Sequence, residues 1–89
     1  MTAAPLDSAT VFDTLAEVIS RVVGIERESL DPGMPIAELD IDSMYAGEIA
    51  AQTEAALDVE IDFRRVAADW STLTIGDLAA EFVNGTRGR

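Results

Sequence analysis

Leu39-Asp40-Ile41-Asp42-Ser43-Met44 stands where an irregular, proline-punctuated stretch gives way to an alanine-rich one with helical periodicity. An Asp-Ser pair ahead of a helical run reads first as an N-cap, because short oxygen-bearing side chains accept hydrogen bonds from the free N–H groups of the first turn. The position has a second use. A serine at an exposed helix start lies where free N–H groups and the helix dipole favour an attached phosphate, which makes Ser43 a candidate for covalent modification.

Downstream of that serine the spacing predicts a helix over 43–57. Ala46, Ile49, Ala50, Thr53, Ala56 and Leu57 fall on an inward face, and Glu48, Gln52 and Glu54 on an outward one. Gly47 interrupts it at a cost of about 1 kcal/mol relative to alanine. Upstream, residues 25–41 contain Asp31-Pro32-Gly33 and Pro35 and therefore form a long loop. Ile25, Leu30, Met34, Ile36, Leu39 and Ile41 punctuate it so regularly that it is expected to be pinned to the core.

A first helix is expected from near Ser8. Val11, Phe12, Leu15, Val18, Ile19, Val22 and Val23 recur at helical spacing, Gly24 supplies the stop, and Glu17 stands four residues before Arg21, a distance that allows a weak surface pair. After Leu57 a short acidic connection turns Val59 and Ile61 inward, and residues 63–70 form a short third helix that carries the Arg64-Arg65 doublet and a core Trp70. The last helix has the clearest start: Thr74 as N-cap, Asp77 three residues on, and a Leu73/Leu78 staple. Ile75, Leu78, Ala79, Phe82 and Val83 make its stripe, Asn84-Gly85 ends it, and the lead 1–7 and tail 86–89 are expected to be unstructured.

A chain of 89 residues makes one domain, 1–89 with an ordered core of about 8–85, and buries only about 60% of its unfolded surface. Hydrophobic residues make up 48%, enough for a core, so the net charge of −11 describes an acidic surface rather than a disordered chain. That surface repels nucleic acid and anionic membranes and attracts proteins with basic docking patches. The chain has no cysteine, histidine or lysine. It therefore lacks a thiol nucleophile, the commonest general base and metal ligand, and a Schiff-base amine, and a self-contained enzyme is not expected. Asp40 and Asp42 could open a calcium loop, but Tyr45 stands where that loop needs glycine and Ala51 where it needs glutamate, so no metal site is expected. Neither a leader nor an apolar run of membrane-spanning length is visible, and a cytoplasmic monomer is expected.

Residues 39–44 resemble the acyl carrier protein signature Leu-Gly-X-Asp-Ser-Leu/Met. From about Thr10 to Gly85 the order of elements is also similar to that family's: long first helix, long loop, serine-headed second helix, short third helix, closing fourth helix. Asp40 departs from the family's glycine, although aspartate tolerates a positive φ better than most residues. Gly47 departs from the larger apolar residue often found four places after the serine. The resemblance implies an all-α four-helix bundle with 4'-phosphopantetheine on Ser43. A phosphopantetheinyl transferase would attach it, and the terminal thiol would hold an acyl or aminoacyl group as a thioester for acyltransferases, acyl or aminoacyl ligases and synthases. Asp42, Met44, Gly47, Glu48 and Glu54 are the residues expected to meet these partners.

Peptidyl carriers commonly have histidine before the serine, so Asp42 favours an acyl carrier of polyketide or other secondary-metabolite type, and the length with its own Met1 favours a discrete one. Two alternatives stand beside it: a peptidyl or aminoacyl carrier of a nonribosomal-type pathway, and an acidic helical module that binds proteins and carries no prosthetic group.

Overall fold

The computed structural model describes residues 7–87. The expected lead up to Leu6 and the last two tail residues lie outside it. Helix α1, Ser8–Val23, is started by Asp7, whose carboxylate accepts the Thr10 N–H at 2.7 Å. Asp7 thus belongs to the helix and not to the lead. Val11, Leu15, Val18 and Ile19 are buried as the stripe predicts, with Ala16 beside them, while Phe12, Val22 and Val23 pack at the edge. Gly24 ends the helix in the left-handed region at φ 87°.

The connection to α2, Ser43–Leu57, is ordered by two 3₁₀ turns, Arg27–Ser29 and Ile36–Leu39. It is also zipped to the start of α4, Ile75–Val83. Ile36 N–H donates to the Leu73 carbonyl at 2.9 Å, Ile75 N–H to Met34 at 2.9 Å and Gly76 N–H to Pro32 at 2.8 Å. Gly76 is needed for that approach, because a Cβ there would lie 3.0 Å from the Pro32 carbonyl oxygen. Leu30, Ile36 and Ile41 are buried, so the loop is a wall of the core, as its apolar punctuation requires.

α1 packs on both α2 and α4 around Leu15, Ile19, Ile36, Ile49, Ile75 and Phe82, each with at most 1% of its surface exposed. Helix α3, Phe63–Ala68, is short, and a 3₁₀ turn Trp70–Thr72 follows it. α4 opens with the expected capping box: Asp77 N–H donates to Thr74 Oγ1 at 3.0 Å and Thr74 N–H to Asp77 Oδ2 at 3.1 Å.

Four further expectations need correction. Arg21 donates to Gln52 Oε1 at 2.8 Å rather than pairing with Glu17, because α2 brings a neutral acceptor within reach. Ala56 is exposed, its position having rotated off the buried stripe by the last turn of α2. Trp70 is half-buried against the core rather than inside it. The tail is not free at its start, since β2, Thr86–Arg87, pairs antiparallel with β1, Val59–Glu60. This small ladder joins an otherwise helical fold, and Gly85 permits it: a Cβ there would lie 2.5 Å from Val59 Cγ1.

Candidate functional site

Asp40 closes the 3₁₀ turn Ile36–Leu39, three residues before α2 begins. It sits at φ 54°, ψ 39°, in the left-handed region that a short polar side chain tolerates and a bulky one resists. The turn it makes carries the chain from the buried Ile36 to the buried Ile41, and Asp42 and Ser43 emerge on the surface directly after that anchor.

The cap of α2 is Asp42. Its Oδ1 accepts the Tyr45 N–H at 2.9 Å, and its own backbone is extended at φ −81°. Ser43 is the first helical residue, exposed, and no group among the described residues accepts a hydrogen bond from its hydroxyl. The two readings of the Asp-Ser pair therefore divide between its members. The aspartate holds the helix end, and the serine is left over for chemistry.

The N–H groups of Ser43 and Met44, the first two of the helix, have no intrahelical acceptor by construction. Together with the helix dipole they favour a phosphate on Ser43 Oγ, and the exposed hydroxyl leaves room for one. The residues present thus fit a phosphodiester at this serine. Asp40 and Asp42 lend the surroundings negative charge, so what approaches them from outside should be basic.

Around the serine the expected docking residues are not equivalent. Met44 keeps 77% of its surface exposed, a large apolar side chain left in water beside the hydroxyl, and Tyr45 is also exposed, at 41%. Tyr45 was not singled out from the sequence, although it stands three and seven residues before Glu48 and Gln52, a spacing that puts it on their outward face. Glu48 is exposed and accepts from Gln52 Nε2 at 2.8 Å, which links it through Gln52 to Arg21. Glu54 is half-buried, and its Oε2 accepts the Ile61 N–H at 2.9 Å, so it ties α2 to the segment after β1. Gly47 is half-buried with nothing within 4 Å of where a Cβ would stand, so no packing inside the chain requires a glycine there.

Among the described residues two buried side-chain polar atoms have no partner, Thr53 Oγ1 in α2 and Trp70 Nε1. Each costs about 1–3 kcal/mol relative to a satisfied group. Trp70 meets Phe63 edge to face, with ring centroids 6.1 Å apart, and lines a cleft beside Asp42. Arg65 is held by Glu81, and the Glu81 carboxylate raises its pKa further. That leaves Arg64 as the free member of the doublet among the described residues. No helix among them is long and apolar enough to cross a membrane.

The family model of the phosphopantetheine attachment site matches residues 13–82. Meromycolate extension acyl carrier proteins of Mycobacterium bovis and Mycobacterium tuberculosis are 35% identical over 77 residues, covering 85% of this chain and 64% of their own length. The corresponding protein of Mycolicibacterium aurum is 40% identical over 67 residues, covering 74% of this chain and 66% of its own. The chain thus spans slightly less than two thirds of the first of these relatives. No solved structure matches it significantly.

Proposed function

The chain belongs to the acyl carrier protein family, a family of non-catalytic carriers whose prosthetic group is 4'-phosphopantetheine, and from that premise we propose that Ser43 is the residue that takes the group. The observation that carries the proposal is the division of labour at the head of α2. Asp42 caps the helix, and the adjacent serine hydroxyl stands exposed and unengaged.

Loading is a substitution at phosphorus. Ser43 Oγ attacks the phosphorus of coenzyme A that bears the pantetheine, the P–O bond to 3',5'-ADP breaks, and the hydroxyl proton passes to a base on the phosphopantetheinyl transferase. The chain contributes the positioned hydroxyl and two N–H groups toward the new phosphodiester. Once bound, the group supplies a terminal thiol that takes an acyl cargo as a thioester.

The carrier then acts by presentation. Residues 8–85 serve as one carrier unit, a soluble monomer of the cytoplasm. Basic patches on acyltransferases, ligases and synthases are drawn to the acidic surface, with Met44 as the apolar contact next to the serine and Asp42 and Glu48 as charged ones. Gly47 leaves the helix surface low between them. Glu54 is the weakest member of this set, because its carboxylate is already held by Ile61.

The cargo is an acyl chain built by a polyketide or other secondary-metabolite pathway, a reading supported by Asp42 where peptidyl carriers commonly have histidine. A second reading, extension of long fatty chains, is favoured by the name that the mycobacterial relatives carry. Releasing the thioester from protein purified out of its own host and weighing the acid tests both. An oxygenated polyketide chain supports the first and a long saturated chain the second. An amino acid would overturn both in favour of an aminoacyl carrier.

A further inference from the structure

Asn84 is the chain's one asparagine, and Gly85 follows it. A side-chain amide is most easily lost in this pairing, because the next backbone nitrogen can attack the amide carbon and glycine puts no side chain in its way. A larger second residue would blunt that attack, but the fold forbids one. A Cβ at Gly85 would lie 2.5 Å from Val59 Cγ1 and 2.8 Å from the Glu60 carbonyl oxygen, so the β1–β2 ladder and a side chain at this position exclude each other.

The closed molecule holds the pair in an unreactive shape. At φ −93°, ψ 6° the Gly85 nitrogen is turned away from the Asn84 side chain. Asn84 Nδ2 donates to the Ala80 carbonyl at 3.0 Å, and Gly85 N–H donates to the Phe82 carbonyl at 3.2 Å. Asn84 is nevertheless exposed, so water and base reach it once these holds slacken. The downstream hold is the slight one: β2 pairs with β1 over two residues on each strand, and a ladder that short opens readily.

We propose that Asn84 is a site of spontaneous modification gated by the β1–β2 ladder, and that its isoaspartyl product keeps the ladder open. With the ladder open, Gly85 N loses its proton to solvent base and attacks Asn84 Cγ. The Cγ–Nδ2 bond breaks, ammonia leaves, and a five-membered succinimide remains. Water then adds to one of the two ring carbonyls, giving isoaspartate or aspartate with one new negative charge. Isoaspartate lengthens the main chain by a methylene just before Gly85, where there is no room for a Cβ. The new carboxylate also sits at the negative end of α4, in place of the amide that donated to Ala80. Glu60, Asp62 and Glu81 border the same cleft, and Arg65, which lines it too, is already held by Glu81. β2 therefore comes away, and the connection between α2 and α3 loses its clasp.

The test ages the full chain at mildly alkaline pH beside a synthetic peptide of residues 80–89. Conversion is followed by the charge gained on ion exchange and by peptide mapping that separates isoaspartate from aspartate. The folded chain should convert more slowly than the peptide by about tenfold or more, because only its open fraction reacts. Thr86→Pro combined with Arg87→Pro removes both N–H donors that β2 can give the ladder. That variant should keep its helical circular dichroism and convert at nearly the peptide's rate. Asn84→Gln, which would have to close a larger ring, should not convert on this timescale. In the isoaspartyl fraction, isolated by its extra charge, the amides of β1 and β2 should exchange hydrogen faster than in the unmodified chain.

A wild type that converts as fast as the peptide overturns the gate. A helical double-proline variant as slow as the wild type overturns it too, since α4's own hydrogen bonds would then be sufficient protection. An isoaspartyl fraction whose strand amides exchange as slowly as before overturns the claim that the product holds the ladder open.

Discussion

At the head of α2, two adjacent residues do different work, and single substitutions separate them. Asp42→Ala removes the acceptor for the Tyr45 N–H and should cost about 1 kcal/mol in denaturant unfolding. Ser43→Ala removes a hydroxyl that holds nothing and should leave the midpoint nearly unchanged. Thr53→Val goes the other way. It replaces a fully buried, unpartnered hydroxyl with an isosteric methyl and should stabilise by about 1 kcal/mol. Asp7 supplies the pH-dependent case. The Thr10 N–H holds its carboxyl below the ordinary aspartate value, so its cap is fully present above that ordinary value and fades as pH falls through the lowered one. The stability gap between wild type and Asp7→Ala should therefore be open at neutral pH and narrow on acidification. Ser43 stood out as the candidate through its neighbours in sequence. Which of Asp42 and Ser43 would cap was not, because both side chains carry a suitable oxygen and only the backbone register decides.

The helices follow their sequence signals closely, since caps and periodicity are local: Gly24, the Thr74–Asp77 box and the start at Ser43 all stand where the spacing puts them. What escaped is non-local. The β1–β2 ladder joins residues more than twenty positions apart, and nothing within either two-residue segment announces a partner. Glu54 escaped for the same reason, as its outward periodicity gave no sign that Ile61 would fold back beneath it. Two glycines make the element-level test. Gly47→Ala should stabilise α2 by about 1 kcal/mol, because a Cβ there meets nothing. Gly76→Ala should destabilise in spite of the same helix propensity, because its Cβ would press on the Pro32 carbonyl that zips the loop to α4. Thermal melts of the pair should move in opposite directions.

Across the whole molecule, seventeen acidic residues against six arginines leave a surface that repels itself. Only two ion pairs offset it among the described residues, Arg27–Asp13 and Arg65–Glu81, and both are at least partly exposed. Added salt should therefore raise the melting temperature at neutral pH. On the proposed function the same charge would set the rate of encounter with partners. Glu48→Arg should slow association with a cognate enzyme, and salt should weaken wild-type binding as the Debye length falls to about 8 Å at physiological ionic strength. Met44→Ala should instead speed dissociation with little change in salt dependence, since an exposed apolar side chain acts once contact is made.

The functional reading depends on Ser43 being the point of attachment, and intact mass spectrometry reaches that claim most directly. Wild type and Ser43→Ala are each incubated with coenzyme A, Mg²⁺ and a broad-specificity phosphopantetheinyl transferase. The account predicts one phosphopantetheine on the wild type, mapped to Ser43, and none on a variant that melts with the wild type. An unmodified wild type, or a modified Ser43→Ala carrying the group at Ser20 or Ser29, would contradict it.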